Sequence, residues 1–237
     1  MAVKEKRLEA DRPGWFRVLW IRIKGLLTLI LRGRFRELSG HLAYFLYRRR
    51  HPDYPWLAGP ANSILESFLT DRDVGLEFGS GRSTLWLAQK VSALTSVEHD
   101  PVWYNKVTKE LELRKLANVN CLLVEKDVED SKGQDAAYVR ITEKFPENSL
   151  DFILVDGAYR DSCALAAMGL LRPGGMLIID DACWFLPSNS TCSNARTHAQ
   201  GPASPQWGRF LNAVASWRCI RTTDGIHDTT LYLKPCE

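Results

Sequence analysis

The sequence predicts an α/β protein built on a Rossmann-like sheet, and three observations carry that expectation. A strand, a glycine-rich turn, a helix and a second strand ending in an acid follow one another between Val74 and Asp100. Further apolar runs then alternate with helical stretches as far as Ile179, as parallel strands joined by crossovers require. The last two predicted strands instead flank Asp224-Gly225 closely and read as a β-hairpin. Together these make seven strands, preceded by a helical extension of different character.

That extension comes first in the chain. The 237 residues carry a net charge of +3, which hides an asymmetry. Residues 1–50 hold 13 Lys and Arg against 4 Asp and Glu, a net +9, and leave −6 on residues 51–237. The basic character is local, so a nucleic-acid-binding core is not expected. Trp15 to Leu31 is mostly apolar, and on a helix Arg17, Lys24, Thr28 and Arg32 fall within roughly 80° of one another, with Arg22 the exception. The apolar run Gly25 to Leu31 is too short to span a bilayer, and no signal-peptide cleavage pattern follows it. Two readings stay open: a helix packing on the core or on a second subunit, and a helix lying at an anionic membrane surface. The expected division is a basic amphipathic extension over 1–50 and one α/β domain over 51–237.

His51 to Pro60, HPDYPWLAGP, reads as a proline-punctuated linker, and Ala61 to Leu69 as a helix with Ile64, Leu65, Phe68 and Leu69 on one face. Val74 to Phe78 is a strand of buried length. Gly79 and Gly81 allow a tight turn and close approach of a ligand to the backbone. Arg82 to Val91 has helical composition, and Leu94 to Val97 is the second strand, ending in Glu98. A carboxylate there can accept two hydrogen bonds from a ribose. A dinucleotide fold requires a third glycine for its pyrophosphate, but that position holds Thr84. Glu77 just before the turn also disfavours a phosphate and suits a cationic ligand.

Glu77-x-Gly79-x-Gly81 and Val97-Glu98-His99-Asp100 resemble motif I and the following acidic motif of class I S-adenosylmethionine-dependent methyltransferases. The wording EFGSGRSTLWLA…SVEHDPVWY is also similar to a group of bacterial methyltransferase-like proteins, and the match runs from about Tyr54 to the C-terminus. The resemblance implies a seven-stranded, mostly parallel sheet with an antiparallel last strand. It implies S-adenosylmethionine as cofactor, held by Glu77, Gly79, Ser80, Gly81, Glu98, His99, Asp127 and Asp156. Asp127 would meet the adenine amino group and His99 would pack beside the ring. Tyr54 and Trp56 would lie where such enzymes cover the cofactor, although both are equally good core anchors.

Beyond Asp100, Pro101 opens a helix reaching about Leu116, and Val119 to Val124 is the third strand. Val128 to Glu147 is polar surface, Leu150 to Val155 the fourth strand, and Asp161 to Leu171 a helix. Pro173-Gly174-Gly175 reads as a turn before a fifth strand, Met176 to Ile179. Ala182 to Gln206 is a long loop rich in small and polar residues, of the kind that forms lids. Trp207 to Ala215 is a helix, and Trp217 to Thr223 and Asp228 to Lys234 form the hairpin. Glu77, Glu98, Asp127, Asp156, Asp180 and Asp181 all fall at or near carboxyl ends of strands, where open α/β sheets bind ligands. Six acids on one edge would repel without cations, which fits a sulfonium ligand and a metal ion.

Asp156 with Asp180-Asp181 resembles the cation site of catechol-type O-methyltransferases, which implies Mg²⁺ on Asp156, Asp180 and Asp181. The pair is Asp-Asp where those enzymes have Asp-Asn, and Tyr159 stands where they carry a lysine base. The catalytic expectation is therefore Asp156 and Tyr159, the latter needing a strongly lowered pKa. The alternative makes Asp156 and Asp180 strand-end residues that orient the cofactor. His198, in the long loop, is a weak candidate base, and His227 reads as structural.

The expected activity is methyl transfer to oxygen of a small-molecule or glycan-like acceptor. A catalytically silent adenosyl-binding or membrane-surface scaffold stays open as an alternative, and an NAD-dependent oxidoreductase is disfavoured by the missing glycine. No N/D-P-P-Y/F sequence follows the fourth strand, so a nucleic-acid acceptor is not expected. Cys121, Cys163, Cys183, Cys192, Cys219 and Cys236 lack C-x-x-C spacing and read as free thiols of a cytoplasmic protein. A peripheral location at the inner membrane face and a homo-oligomer are further expectations.

Overall fold

A computed structural model describes residues 35–192 and 194–236. The amphipathic stretch Trp15 to Leu31 lies outside the described residues. The first described element is α1 (Phe35–Arg50), followed by α2 (Gly59–Phe68), β1 (Val74–Phe78), α3 (Arg82–Leu87), β2 (Ala93–Glu98), α4 (Pro101–Leu113) and β3 (Val119–Leu123). After a single turn α5 (Ala137–Arg140) come β4 (Leu150–Val155), α6 (Arg160–Ala167), β5 (Leu171–Asp180), α7 (Ala182–Phe185), α8 (Pro205–Ala213), β6 (Arg218–Thr223) and β7 (Asp228–Leu233).

The seven strands form one sheet in the order β3-β2-β1-β4-β5-β7-β6. β1 to β5 pair in parallel, and β7 runs antiparallel to both β5 and β6. The expected Rossmann-like sheet with an antiparallel last strand is what forms. Chain order reverses between β1 and β4, so the ligand crevice of such a sheet belongs at their carboxyl ends. Alternation along the strands supplies both faces. Leu76, Phe78, Ile153, Val155 and Leu177 pack with Tyr138, Cys163 and Phe210 on one side. Phe152, Leu154 and Ile178 pack with Leu57, Leu65 and Trp86 on the other.

Local departures have physical causes. Pro60 stands in the first turn of α2, where its missing N–H costs nothing. The Asp100 carboxylate caps α4, accepting from the N–H groups of Val102 and Trp103. The expected turn at Pro173-Gly174-Gly175 lies inside β5, because Gly174 N–H donates to Lys234 O and Lys234 N–H to Gly175 O, so pairing continues across it. The segment 51–60 is not a free linker: Leu57 and Ala58 are buried, and Ala58 N–H donates to Thr229 Oγ1 at 2.9 Å. The long segment after β5 is pinned as well, through Arg196 N–H to Cys183 O, Ser188 N–H to Arg196 O and Ala203 N–H to Phe185 O. Among the described residues no helix is long and apolar enough to cross a membrane.

Candidate functional site

The glycine turn after β1 is tied down on every side. Gly79 takes φ +99°, where a side chain is strained, and a Cβ there would stand 2.7 Å from Gly157 Cα. Gly157, just after β4, is equally confined: its Cβ would lie 2.2 Å from the Tyr138 hydroxyl. The two strand ends thus cross backbone to backbone. Gly81 is different. Its backbone is extended, and a Cβ would make only ordinary contacts near Trp103.

The turn's N–H groups are all used internally. Gly79 N–H donates to Val97 O at 2.8 Å, Ser80 N–H to Glu98 Oε2 at 2.9 Å, and Gly81 N–H to Thr84 Oγ1 at 2.8 Å. A pyrophosphate-binding turn needs those donors aimed at its ligand. The Trp103 indole N–H locks the turn further by donating to Ser80 O at 2.5 Å.

Glu98 sits beside this turn, 3% exposed. Its Oε1 accepts from the backbone N–H groups of His99 and Asp100, both at 2.8 Å, and His99 Nδ1 lies 3.0 Å from the same oxygen. Three of about four lone-pair positions are therefore occupied by backbone donors. About one acceptor position is left for a ligand, where two were expected. A cavity of about 290 Å³ opens here, lined by Gly79, Ser80, Glu98, His99, Trp103, Asp156 and Gly157. Among the expected cofactor residues, Gly79, Ser80, Glu98, His99 and Asp156 thus come together.

Glu77, Gly81 and Asp127 do not reach that cavity. Glu77 is fully buried beneath the turn, where Ser83 Oγ donates to it, as do Thr84 Oγ1 at 2.5 Å and Ser96 Oγ at 2.6 Å. Burial pushes its carboxyl up to about 7 against the pull of these three hydroxyls. It braces the turn from below, and the expected contact with a cationic ligand is corrected on that ground. Gly81 lines a neighbouring groove with Trp56, Arg82, Trp103 and Lys106. Asp127 is exposed and accepts from Ala137 N–H at 3.1 Å, at the start of α5.

The acids after β4 and β5 are organised by Arg160. Its Nη2 donates to Asp156 Oδ1 and to Asp156 O, and Nη1 to Asp180 O, all at 2.8 Å. Nη1 also stands 3.9 Å from Asp181 Oδ2. Asp180 is buried and accepts from Thr229 Oγ1 at 2.6 Å. Burial holds its carboxyl well above the ordinary range, with Asp156 and Asp181 adding to the effect. Among the described residues no three acids, histidines or cysteines are grouped so as to hold a metal ion. The expected Mg²⁺ on Asp156, Asp180 and Asp181 is therefore corrected: a guanidinium supplies the positive charge, and Asp180 faces inward.

Asp156 lines the cavity with its second oxygen outside the ion pair. Loss of water raises its pKa to about 6; Arg160 opposes that, and Asp181 and Glu98 reinforce it. Tyr159 is 6% exposed and in the left-handed region at φ +48°, with its hydroxyl donating to Val128 O at 2.6 Å. That proton is committed to a carbonyl, so the expectation of Tyr159 as a base gives way to a wall and anchor role. A second cavity of about 680 Å³ meets the first at Gly157, with Lys126, Tyr159, Arg160, Phe185 and Trp207 in its walls. His198 is exposed, and neither cavity includes it.

Arg160, Gly157 and Trp103 were not predicted to build the site. The i,i+4 spacing of Asp156 and Arg160 was a readable sign of an ion pair. Nothing in the sequence pairs Gly157 with Gly79, because that contact joins separate strand ends.

No family model matches the chain, and no curated protein does. Solved structures do. A protein of Corynebacterium glutamicum is similar over 84% of this chain and 91% of its own, at 13% identity and TM-score 0.53. A putative rRNA-methylase from Clostridium thermocellum is similar over 76% and 96%, at 15% identity and TM-score 0.52. A methyltransferase-like protein from Silicibacter pomeroyi is similar over 77% and 90%, at 23% identity and TM-score 0.50. At such identities the likeness is one of fold. The fold this chain shares with them is a Rossmann-like one with a mostly parallel seven-stranded sheet.

Proposed function

We propose that this chain binds S-adenosylmethionine at the carboxyl ends of β1, β2 and β4 and transfers its methyl group to oxygen of a small-molecule or glycan-like acceptor. One observation carries the reading: every N–H of the glycine turn is satisfied within the protein, while the buried Glu98 carboxylate keeps one acceptor position beside the cavity. That set suits a nucleoside without phosphates and disfavours the pyrophosphate of NAD.

In this reading Glu98 accepts one ribose hydroxyl, His99 flanks the base, and Gly79 and Ser80 supply a close backbone floor. When bound, the cofactor supplies a methyl group already activated on a cationic sulfur. Asp156, at the rim of the cavity beside Arg160, is the carboxylate that would face that positive charge. Its oxygen outside the ion pair receives the proton that the acceptor hydroxyl loses as the new C–O bond forms and the C–S bond breaks. The larger cavity takes the acceptor, since Phe185 and Trp207, stacked with centroids 5.6 Å apart, suit the apolar face of a ring. Lys126 adds a hydrogen-bond donor. The commitment of Asp156 to Arg160 favours the second reading, an adenosyl-binding protein without turnover.

Calorimetric titration of the full chain with S-adenosylmethionine, S-adenosylhomocysteine and NAD, each with Mg²⁺ and with EDTA, tests this. Binding of both adenosyl ligands but not NAD, unchanged by EDTA, is the expected outcome. Binding of NAD alone would overturn it. Cofactor binding with no methyl transferred to any hydroxyl acceptor in a broad panel would move the second reading to the front.

A further inference from the structure

We propose that α1 docks the protein onto an anionic membrane surface through its outward face. The helix has two sides of similar spacing and opposite exposure. Tyr44, Tyr47 and Arg48 hold it to the domain. The Tyr44 ring lies 4.5 Å from that of His227, the Tyr47 hydroxyl donates to Gly59 O at 3.4 Å, and Arg48 stacks 4.7 Å over Trp56. Leu42, Phe45 and Leu46 occupy the other side, at 60%, 54% and 45% exposure. Arg49 and Arg50 end the helix exposed beside them. A stripe of i, i+3, i+4 apolar residues facing water, on a helix already anchored by its opposite face, is surface built for a partner.

Charge selects the partner. The first 50 residues carry +9, and Arg48, Arg49 and Arg50 at the end of α1 contribute three of those charges. Pairing the face with that of a second copy would bring together two chains that carry the same excess of basic charge in their first 50 residues. An anionic bilayer instead attracts the arginines while accepting the leucines and phenylalanine. The placement also suits the site. Gly40 lies close to Asp224 O and Ile226 in the β6–β7 turn, and β7 leads from that turn to Thr229, paired with Asp180 at the carboxyl end of β5. A bilayer on the outer side of α1 would therefore lie along the sheet edge that carries the candidate site. The proposal rests on α1 alone and stands whether or not methyl transfer is the activity.

Flotation of the full chain with phosphatidylcholine vesicles, with and without phosphatidylglycerol, tests it alongside light scattering. Wild type is expected to float only with phosphatidylglycerol, the more weakly the higher the salt. L42Q/F45Q/L46Q is expected to bind about tenfold or more weakly with an unchanged melting temperature, since all three residues are exposed. R49E/R50E should lose binding likewise. The proposal is overturned if wild type stays in solution with anionic vesicles. It also fails if the triple variant floats as well as wild type, or if that variant turns a wild-type dimer into a monomer, which would make the face a contact between copies.

Discussion

Two halves of one sheet edge solve the same electrostatic problem differently. On the β1–β2 side, Glu77 and Glu98 are buried among neutral donors: three hydroxyls for the first, three backbone N–H groups for the second. On the β4–β5 side, Asp156 and Asp181 share the guanidinium of Arg160. The difference teaches that acids gathered at strand ends need no metal to coexist. It also separates a half whose acids are held by neutral donors, with one acceptor position of Glu98 left at the cavity, from a half that keeps a carboxylate paired with a guanidinium there.

The comparison can be broken most severely at the crossing of the two halves. Gly157→Val, which forces a side chain into the Tyr138 hydroxyl and the Gly79 backbone, should cost about 3 kcal/mol or more in chemical denaturation. Gly81→Ala should cost less than about 1 kcal/mol, because its Cβ meets only ordinary contacts. Equal effects would show that the crossing is not what holds the turn. Next in size is Glu98→Ala, which strands the N–H groups of Ser80, His99 and Asp100. It should lower stability by about 2–3 kcal/mol and weaken adenosyl binding by a further 1–3 kcal/mol in calorimetry.

Arg160→Ala removes the cation from the other half. Mg²⁺ should then raise the melting temperature of the variant and leave wild type unmoved; equal stabilisation of both would restore the metal site. The pH dependence of stability sharpens the contrast on the first side. The folded carboxyl of Glu77 titrates near 7, above its ordinary value of 4.5, so the folded state binds the proton more tightly. Its contribution is fully present below pH 4.5 and is lost as pH rises through about 7. Glu77→Gln should flatten thermal stability across that window, and a profile as steep as wild type would refute the assignment. The smallest effect belongs to Tyr159→Phe, which loses one hydrogen bond to Val128 O, about 1 kcal/mol, and should retain any methyl-transfer rate. Loss of activity without loss of fold would make the tyrosine the base after all.

The parts of the site that could be read in advance share one property: each depends on residues close in sequence. Gly79, Glu98 and the strand ends stood out because a strand, a turn and a strand have fixed lengths. The roles of Glu77 and Tyr159 could not be read that way. Glu77 alternates with Leu76 and Phe78 along β1, and only the positions of Ser83, Thr84 and Ser96 decide that it points into a buried hydroxyl shell. Tyr159 was expected as a base only through the resemblance to catechol-type enzymes, yet its hydroxyl meets a carbonyl 31 residues earlier in the chain.

Local pattern alone was enough for the order of strands and helices, the terminal hairpin, the basic first 50 residues and the acids at strand ends, because periodicity and turn chemistry act over a few residues. Which acid faces a ligand, which is braced from beneath and which is paired with Arg160 was left to the tertiary structure. Those outcomes depend on burial and on donors brought in from distant segments, and a carboxylate's charge, aim and remaining hydrogen-bond capacity exist only once those neighbours are in place.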